Sequence, residues 1–314
     1  MGRTTAVRTA SSCSTALTVP PIMYGRTMAA CDERENLDRI GRVGELVLSY
    51  SRQEQTTVLS GFQSRSPWHL FPPITLDDTG CAYTLLLNPS GGLVGGDQLS
   101  LRARLGPQAH VLFSTPSANR IYRSVSEPSI QSVNLHVGPG AIVEWLPEVT
   151  IPFAGSRFRQ RIHVELGPGA TLLLWDAIAS GRIARGERWA FAYLDNEIRI
   201  RAASGQSMLE RYHLNPSQQG GVGLAADWDY VASLYLVSDT VNAEIWKRLE
   251  EQIAAILEDH SGSVLGGVSE PALPGLAVKL VARSAPDLNV RLEAMWGALR
   301  AQLWNLPAPT LRRY

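Results

Sequence analysis

Short apolar stretches with alternating polar positions dominate the middle of the chain. From residue 43 to residue 237 each stretch is ended by Gly, Pro, Asn or Ser, as at 45–50, 99–105 and 198–202. Alternation with a period of two residues is typical of half-buried strands, and the residues between the stretches are typical of tight turns. The pattern predicts a nearly all-β body over residues 41–237.

A turn phrase recurs inside this body. Leu-Gly-Pro-Gln-Ala at 105–109 is followed by Val-Gly-Pro-Gly-Ala at 137–141 and Leu-Gly-Pro-Gly-Ala at 166–170, at spacings of 32 and 29 residues. Each copy leads from one predicted strand into another, and Ser-Gly-Gln-Ser at 204–207 is a candidate degraded fourth copy. Repeats at this period indicate stacked, hairpin-like units that bury a shared core, although Gly-Pro-x-Ala is also an ordinary turn.

The apolar period changes to three or four residues near the C-terminus. It predicts one amphipathic helix over 240–260 and a second over 286–304, the latter after the capping-type sequence Ser-Ala-Pro-Asp at 284–287. A single alternating strand at 276–282 lies between them. We therefore predict a mainly β (α+β) fold, in which repeated short strands form a β-helix or solenoid-like body with two C-terminal helices, all within one domain over 41–314.

The N-terminal residues have a different composition. Residues 1–31 contain three arginines, at 3, 8 and 26, and no Asp, Glu or Lys. This bias resembles that of an organellar transit peptide, but a tail or a start at Met23 or Met28 explains it as well. We expect residues 1–40 to be a disordered extension of the domain.

Composition and charge narrow the class of protein. The chain has 314 residues, 45% hydrophobic and 18% charged, with 29 basic residues against 29 acidic ones. These values argue against disorder and against a nucleic-acid-binding protein. Three cysteines without a C-x-x-C spacing fit neither a disulfide framework nor a zinc ribbon. Because apolar runs are only strand-length, we expect a cytoplasmic protein with no membrane partner.

Motifs of catalysis are not recognisable in the sequence. The six histidines form no H-x-H or H-E-x-x-H pair, and the chain contains no phosphate-binding G-x-x-x-x-G-K-[ST] loop and no G-x-S-x-G elbow. We therefore predict that the protein is not an enzyme. The alternative is an active site assembled from distant strand ends, for instance from Glu144, Glu187 and His213.

A glycine-rich phrase stands out among the predicted turns. The pairs Gly91-Gly92 and Gly95-Gly96 flank Leu93-Val94 and precede Asp97. Glycine permits positive φ and close approach of backbones, so the phrase would place Asp97 at a sharp corner. Asp97 then either serves a functional site or simply caps the turn.

Carboxylates also occur within or just after apolar strands. Glu144, Asp176 and Glu210 are of this kind, and a carboxylate in such a position must be paired or hydrated. Pairing with Arg123, Arg182 or Arg211 is the purely structural alternative. Several such carboxylates together would favour passage of hard or borderline divalent cations.

Several phrases, taken in order, resemble the urease accessory protein UreD family, called UreH in some organisms. They are Asn-Pro-Ser-Gly-Gly-Leu-Val-Gly-Gly-Asp at 88–97, Ser-Ala-Asn-Arg-Ile-Tyr-Arg-Ser at 117–124, Val-Glu-Trp-Leu-Pro-Glu at 143–148 with Glu144 and Trp145, and Gly-Arg-Ile-Ala-Arg-Gly-Glu at 181–187 with Arg182 and Glu187. The resemblance covers roughly residues 41–314. The chain departs from it at Asn119, where the family usually has Lys, at Lys279, where it usually has Arg, and at the terminal Arg313-Tyr314 in place of Arg-x-Trp.

The resemblance implies a non-enzymatic scaffold that acts with the accessory proteins UreF and UreG on apo-urease. It implies nickel(II) as transient cargo and no tightly bound cofactor, and it assigns GTPase activity to UreG. By position, Asp97, Asp176 and Glu210 match family residues proposed to line an internal metal route. We also expect the C-terminal helices to supply much of a UreF-binding face. A pure adaptor that carries no metal remains the alternative.

Overall fold

The repeated turns are the corners of a coiled β structure. The computed structural model describes residues 43–217, 227–258 and 260–311, so the predicted extension over 1–40 lies outside the described residues. Described strands are numbered in chain order, and they form two sheets. Sheet I contains β1 (Val43–Gln53), β2 (Thr56–Arg65), β5 (Gln98–Leu105), β8 (Ser129–Val137), β11 (Arg157–Leu166), β13 (Tyr193–Arg201) and β14 (Ser207–Leu214).

Sheet II is larger and carries the helices. It contains β3 (His69–Leu70), β4 (Ala82–Leu87), β6 (His110–Ser114), β7 (Asn119–Ile121), β9 (Ile142–Leu146), β10 (Thr150–Pro152), β12 (Thr171–Ala179), β15 (Tyr230–Ser238), β16 (Val264–Ser269) and β17 (Gly275–Ala282). The helices are α1 (Ala243–Leu257) and α2 (Ala285–Trp304). Neither is long and apolar enough to cross a membrane, and the same holds for every helix that the structure describes.

Each Gly-Pro corner carries the chain from sheet I to sheet II. The three copies join β5 to β6, β8 to β9 and β11 to β12, and equivalent strands pair in parallel with those of the next copy. The corners stack through backbone hydrogen bonds: Gly138 N donates to Leu105 O at 2.9 Å, and Gly167 N donates to Val137 O at 2.7 Å. The predicted mainly β, solenoid-like body of about four turns is therefore confirmed.

Two details of the repeat prediction were wrong. The strands on either side of a corner belong to different sheets, so the units are coils and not hairpins. The phrase at 204–207 joins β13 and β14, which pair antiparallel within sheet I, and it is therefore a hairpin turn and not a fourth corner. A turn phrase alone does not say whether the next strand folds back or crosses to the other sheet.

Two layers of apolar side chains hold the sheets and helices together. Inward residues of both sheets form the first core, which includes Leu46, Leu101, Val133, Ile162, Ile198, Val111, Phe113, Val143 and Leu172. The opposite face of sheet II packs on the helices in a second core, which includes Leu173, Leu234, Val278, Leu249, Ile253, Leu292, Met295 and Trp296. Sheet II is thus covered on both faces, which explains why all nine residues of β12 are buried and do not alternate.

The C-terminal helices begin and end within three residues of the predicted bounds, since α2 covers 285–304 against the predicted 286–304. Asn242 caps α1, since its Oδ1 accepts from Ile245 N at 2.9 Å, and the helix covers 243–257 within the predicted 240–260. Ser284 caps α2 as expected. The prediction of a single strand between the helices was wrong, because β16 precedes β17 and pairs with it antiparallel. The Gly266-Gly267 pair in β16 interrupts the apolar alternation that identifies a strand.

Close stacking of the corners leads to a test of stability. A Cβ at Gly138 would lie 2.6 Å from the Leu105 carbonyl oxygen, whereas a Cβ at Gly267 in β16 would have no neighbour within 4 Å. We expect Gly138→Ala to lower the free energy of unfolding by roughly 1–3 kcal/mol, because the corners must separate. Gly267→Ala is the control and should be neutral or stabilise by less than about 1 kcal/mol. Urea unfolding would measure both, and equal effects would contradict the stacking argument.

Candidate functional site

The glycine-rich phrase lies against β7. Leu93 N donates to Arg120 O at 2.8 Å, and Tyr122 N donates to Leu93 O at 2.8 Å. A Cβ at Gly92 would lie 2.3 Å from Arg120 O, so only glycine fits at this approach. Gly91 and Gly96 have φ of 77° and 89°, and Gly95 is closely packed instead, with its ideal Cβ 2.9 Å from Glu127 O. The four glycines therefore fix the path of this loop.

Asp97 closes the same loop. Its Oδ2 accepts a hydrogen bond from Val94 N at 2.9 Å, and the residue is buried. This geometry is that of a turn-capping aspartate. Asp97 therefore caps the turn, and it is not among the residues that line the cavity described next.

A cavity of about 70 Å³, partly open to solvent, lies behind the loop. Trp68 and Trp145 line it, and within the described part of the chain their indole N–H groups have no hydrogen-bond partner. Buried donors of this kind are normally satisfied by water, and the volume is sufficient for several water molecules. The polar lining residues are Asn88, Thr115, Ser117, Asn119, Gln131, Glu148, Thr150, Gln160 and Asp176. The cavity is therefore suited to hydrated polar cargo.

Asp176 forms the inner wall of this cavity. Gln160 Nε2 donates to its Oδ1 at 2.9 Å, Asn196 Nδ2 donates to its Oδ2 at 2.7 Å, and the Tyr212 hydroxyl lies 3.4 Å from Oδ2. All three partners are uncharged. Burial raises the pKa of the Asp176 carboxyl, and these hydrogen bonds, together with the charge of Lys279, offset only part of that effect. Asp176 is therefore a buried carboxylate that faces the cavity. No arginine among the described residues contacts it.

Glu210 lies farther along the space between the sheets. Its Oε1 accepts from Lys279 Nζ at 2.5 Å, and the same ammonium donates to the Tyr235 hydroxyl at 2.7 Å and to Ser233 Oγ at 2.9 Å. Ser233 is the direct cross-strand neighbour of both Asp176 and Lys279. The structure therefore brings Asp176 and Glu210 into one polar cluster, while Asp97 belongs to the glycine-rich loop.

Glu144 belongs to a separate, fully buried network beneath α2. Its Oε1 accepts from Arg300 at 2.6 Å and contacts His110 Nε2 at 2.7 Å, and its Oε2 accepts from Trp296 Nε1 at 2.5 Å. Burial alone would raise the pKa of Glu144, but His110, Arg300 and Trp296 together hold it below its usual range. Its neighbour in the sequence, Trp145, points the other way, into the first core.

The atoms of this network could in principle ligate a metal. Cys81, His110 and Glu144 place ligand atoms within 4.8 Å of one another, the one such group among the described residues. However, the Arg300 guanidinium already neutralises Glu144, and burial raises the pKa of the Cys81 thiol, so the thiolate that binds metals is disfavoured. We interpret the group as a structural network with arginine as its cation.

Arg182 and Glu187 fasten the loop that follows β12. Arg182 Nε donates to Glu187 Oε2 at 2.8 Å and stacks over the Phe153 ring, with Cζ 4.4 Å from its centroid. The hydrogen bond from Arg182 lowers the pKa of Glu187. Because Glu187 also accepts from Ala154 N at 3.2 Å, the pair ties this loop to the one after β10.

The structure does not assemble the alternative catalytic group. Glu144 lies under α2, Glu187 is held by Arg182, and His213 is exposed on the outer face of sheet I, where it stacks on Tyr193. The predicted arginine pairs were also wrong in detail. Arg182 pairs with Glu187, Arg211 with Asp195, and Arg123 is exposed. Glu144 instead pairs with Arg300 and Glu210 with Lys279, both distant in sequence and brought close only by the fold.

Sequence reasoning missed Gln160, Asn196, Lys279 and Arg300. A signal was present for the first two, since each is a polar residue at an inward position of an otherwise apolar alternation in β11 or β13. Buried amides in such positions require hydrogen-bond partners. No comparable local signal marks Arg300, whose carboxylate partner is 156 residues away.

Comparison with known proteins decides the family. The family model described as UreD urease accessory protein matches residues 42–314. The chain belongs to the UreD family. It is 32% identical over 280 residues to urease accessory protein UreD 2 of Streptomyces griseus, covering 87% of this chain and 94% of that protein. It is 38% identical over 201 residues to UreD of Deinococcus radiodurans, covering 63% and 72%.

A further UreD protein extends this similarity. The Delftia acidovorans protein is 33% identical over 276 residues, which cover 82% of this chain and 88% of that protein. Membership in the UreD family confirms the resemblance found in the sequence and supports a role in urease maturation. The accessory name of the family indicates a maturation factor that is not itself catalytic.

The Glu144 network provides the first test at this site. Arg300→Met should lower the free energy of unfolding by roughly 3–5 kcal/mol, because it leaves a buried carboxylate without its main partner. Arg300→Met with Glu144→Gln should recover part of that loss, since the charge is removed as well. Urea unfolding of both variants measures the difference. A double variant that is less stable than Arg300→Met would contradict the assignment.

The same network predicts a dependence on pH. Because the pKa of folded Glu144 lies below its unfolded value of about 4.3, its ionised form stabilises the fold above that pH. This contribution is lost as the pH falls through the folded pKa. The wild type should therefore lose more stability between pH 6 and the acid range than Glu144→Gln, as measured by thermal unfolding at each pH. Parallel curves would exclude a role for Glu144 ionisation.

Proposed function

We propose that the protein is a non-enzymatic scaffold that binds apo-urease together with UreF and UreG and assists insertion of nickel(II). Membership in the UreD family supports the role in urease maturation. We further propose that nickel(II), as transient cargo, passes through the cavity and along Asp176 and Glu210. One observation carries this second step: a buried carboxylate faces a cavity with polar lining and has only neutral hydrogen-bond partners among the described residues.

The chemistry of Asp176 suits a transient cation. An anion in a low-dielectric interior attracts a cation strongly, and here amide donors compensate for only part of the burial cost. The oxygens of Asp176, Gln160 and Glu148 around the cavity are hard ligands, which bind divalent ions without the retention expected of thiolates. Such a site holds a metal weakly enough to release it.

Lys279 would compete with a passing cation for oxygen atoms along the route. Its ammonium occupies the oxygen atoms of Glu210, Ser233 and Tyr235, which a metal would otherwise use. Lys279 is 49% exposed, so its side chain has room to move toward solvent. In this proposal the passing cation displaces Lys279 from Glu210, and the ammonium returns when the cation has left.

The expected position of the UreF-binding surface changes in one respect. The apolar stripes of α1 and α2, which motivated its assignment to these helices, are buried against sheet II. The face available to a partner is therefore the outward side of α2, which includes the exposed Val290, together with adjacent strand ends. Binding of UreF there remains a proposal.

The variant Asp176→Asn distinguishes a role of Asp176 in the nickel route from a purely structural role. Removing the charge relieves the cost of burial, while the new amide N–H replaces an acceptor for Gln160 or Asn196, so the two effects oppose each other and the melting temperature should change little. If Asp176 lies on the nickel route, the variant should still assemble with apo-urease but load severalfold less nickel per active site. Combination with Glu210→Gln should deepen the loss. Metal analysis of purified urease and thermal unfolding give the two readouts.

Glu251→Gln on the exposed face of α1 is the matched control, since it removes one carboxylate away from the cavity. It should load nickel like the wild type. A double variant at 176 and 210 that assembles normally and loads full nickel would refute the route and favour a pure adaptor. A wild-type protein that does not co-purify with apo-urease would refute the scaffold itself.

A further inference from the structure

The outer face of sheet I is rich in arginine. Seven of the arginines that project from it lie on β5, β11, β13 and β14, and we name this surface the arginine face: Arg102, Arg104, Arg159, Arg161, Arg199, Arg201 and Arg211. Four carboxylates share the surface, namely Glu45, Glu165, Asp195 and Glu197. The face is therefore strongly positive in a chain whose formal net charge is zero.

Strand register arranges these charges in rows. Arg104, His136, Glu165 and Arg201 occupy one row across β5, β8, β11 and β13. Neighbouring strands are roughly 4.8 Å apart, so side chains in one row lie within reach of one another. The row is fixed by the backbone, which makes the charge pattern a rigid feature of the fold.

The carboxylates on the face do not neutralise it. Asp195 is shared by three arginines, with nitrogen-to-oxygen distances of 3.5 Å to Arg159, 2.7 Å to Arg161 and 3.6 Å to Arg211. Among the described residues, Arg104 and Arg201 form no ion pair. The surface therefore presents guanidinium groups with unused donors, and guanidinium binds carboxylate in a bidentate manner.

The size of the face matches that of a protein interface. Six strands at the sheet spacing and about eight residues along each strand give on the order of 600 Å², close to the roughly 800 Å² that each partner buries in a standard complex. Parallel sheets are usually covered on both faces. Here the inner face is in the first core, and the outer face carries exposed arginines and the exposed Leu209.

We propose that the arginine face docks onto a carboxylate-rich surface of a protein partner. The carboxylates interspersed among the arginines favour a protein over a nucleic acid, because a phosphate backbone would be repelled by them while a protein surface can match both signs. A second copy of the chain is disfavoured, since its α1 meeting this face would be a head-to-tail contact, whereas the commonest dimers join the same patch of both subunits.

The charge distribution also orients the approach of the partner. Helix α1 carries Glu244, Glu250 and Glu251, with Glu258 at its C-cap, against Lys247 and Arg248, so its net charge on the sheet II side is negative, while the arginines lie on the outer side of sheet I. An acidic partner is thus attracted to one side of the molecule and repelled by the other. Electrostatic steering of this kind raises the association rate and does not require a larger buried area.

Charge reversal on the face tests the proposal. Arg104→Glu with Arg201→Glu changes four units of charge without breaking an ion pair of the described residues. Arg185→Glu with Lys247→Glu makes the same change at exposed positions off the face. The probe is apo-urease, a choice that rests on the proposed function. We expect the face variant to associate with apo-urease about tenfold more slowly than the wild type at low salt. The control should differ from the wild type by less than about twofold.

The outcomes separate this inference from the proposed function. Equal association rates for wild type and face variant would overturn the arginine face as a docking site. If the wild type does not bind apo-urease, the proposed function fails, and the same variants are compared on poly-L-glutamate. There, loss of binding confined to the face variant supports the inference, and equal binding overturns it.

Two further results would also overturn the proposal as stated. Tighter binding of the wild type to a deoxythymidine oligonucleotide than to poly-L-glutamate of equal charge would assign the face to nucleic acid. Self-association in sedimentation that the face variant abolishes would assign it to a second copy. Circular dichroism and thermal unfolding must show that both variants fold as the wild type does.

Discussion

In-register stacking of the Gly-Pro corners is the constraint on which the rest of the structure depends. Each corner donates a backbone hydrogen bond to the one before it, so every turn of the coil starts at the same height. Because side chains alternate with a period of two, this fixes which residues of each strand point inward and which point outward. A slip of one residue would bring the outer arginines into the first core and expose Ile162 or Val133.

The same constraint places the polar cluster between the sheets. Gln160 and Asn196 are adjacent inward residues of paired strands, and together they reach Asp176 on the opposite sheet. Gln160, Asn196 and Asp176 come from three different strands that are separated in sequence. The stacking therefore produces both the polar cavity and the buried carboxylate that faces it.

Periodicity and turn phrases in the sequence were sufficient to predict the solenoid-like body and both helices, because these depend on local alternation and capping. They did not predict β16, whose Gly266-Gly267 pair removes the local signal, or the corner-versus-hairpin distinction at 204–207. Partner choice was the least predictable feature. Glu144 pairs with Arg300 and Glu210 with Lys279, and both contacts exist only after the sheets and helices have packed.

Two buried carboxylates on neighbouring strands of sheet II show why burial alone does not define a site. Glu144 is held ionised by an arginine, a histidine and an indole, and its pKa is lowered. Asp176 has only neutral hydrogen-bond partners among the described residues, and its pKa is raised. A carboxylate that already has a cation stabilises the fold and has little affinity left for a metal. Asp176 has no cation among its described hydrogen-bond partners, although the charge of Lys279 lowers its pKa somewhat, and it faces a cavity with polar lining. The electrostatics that make this anion costly for stability therefore favour binding of a mobile cation.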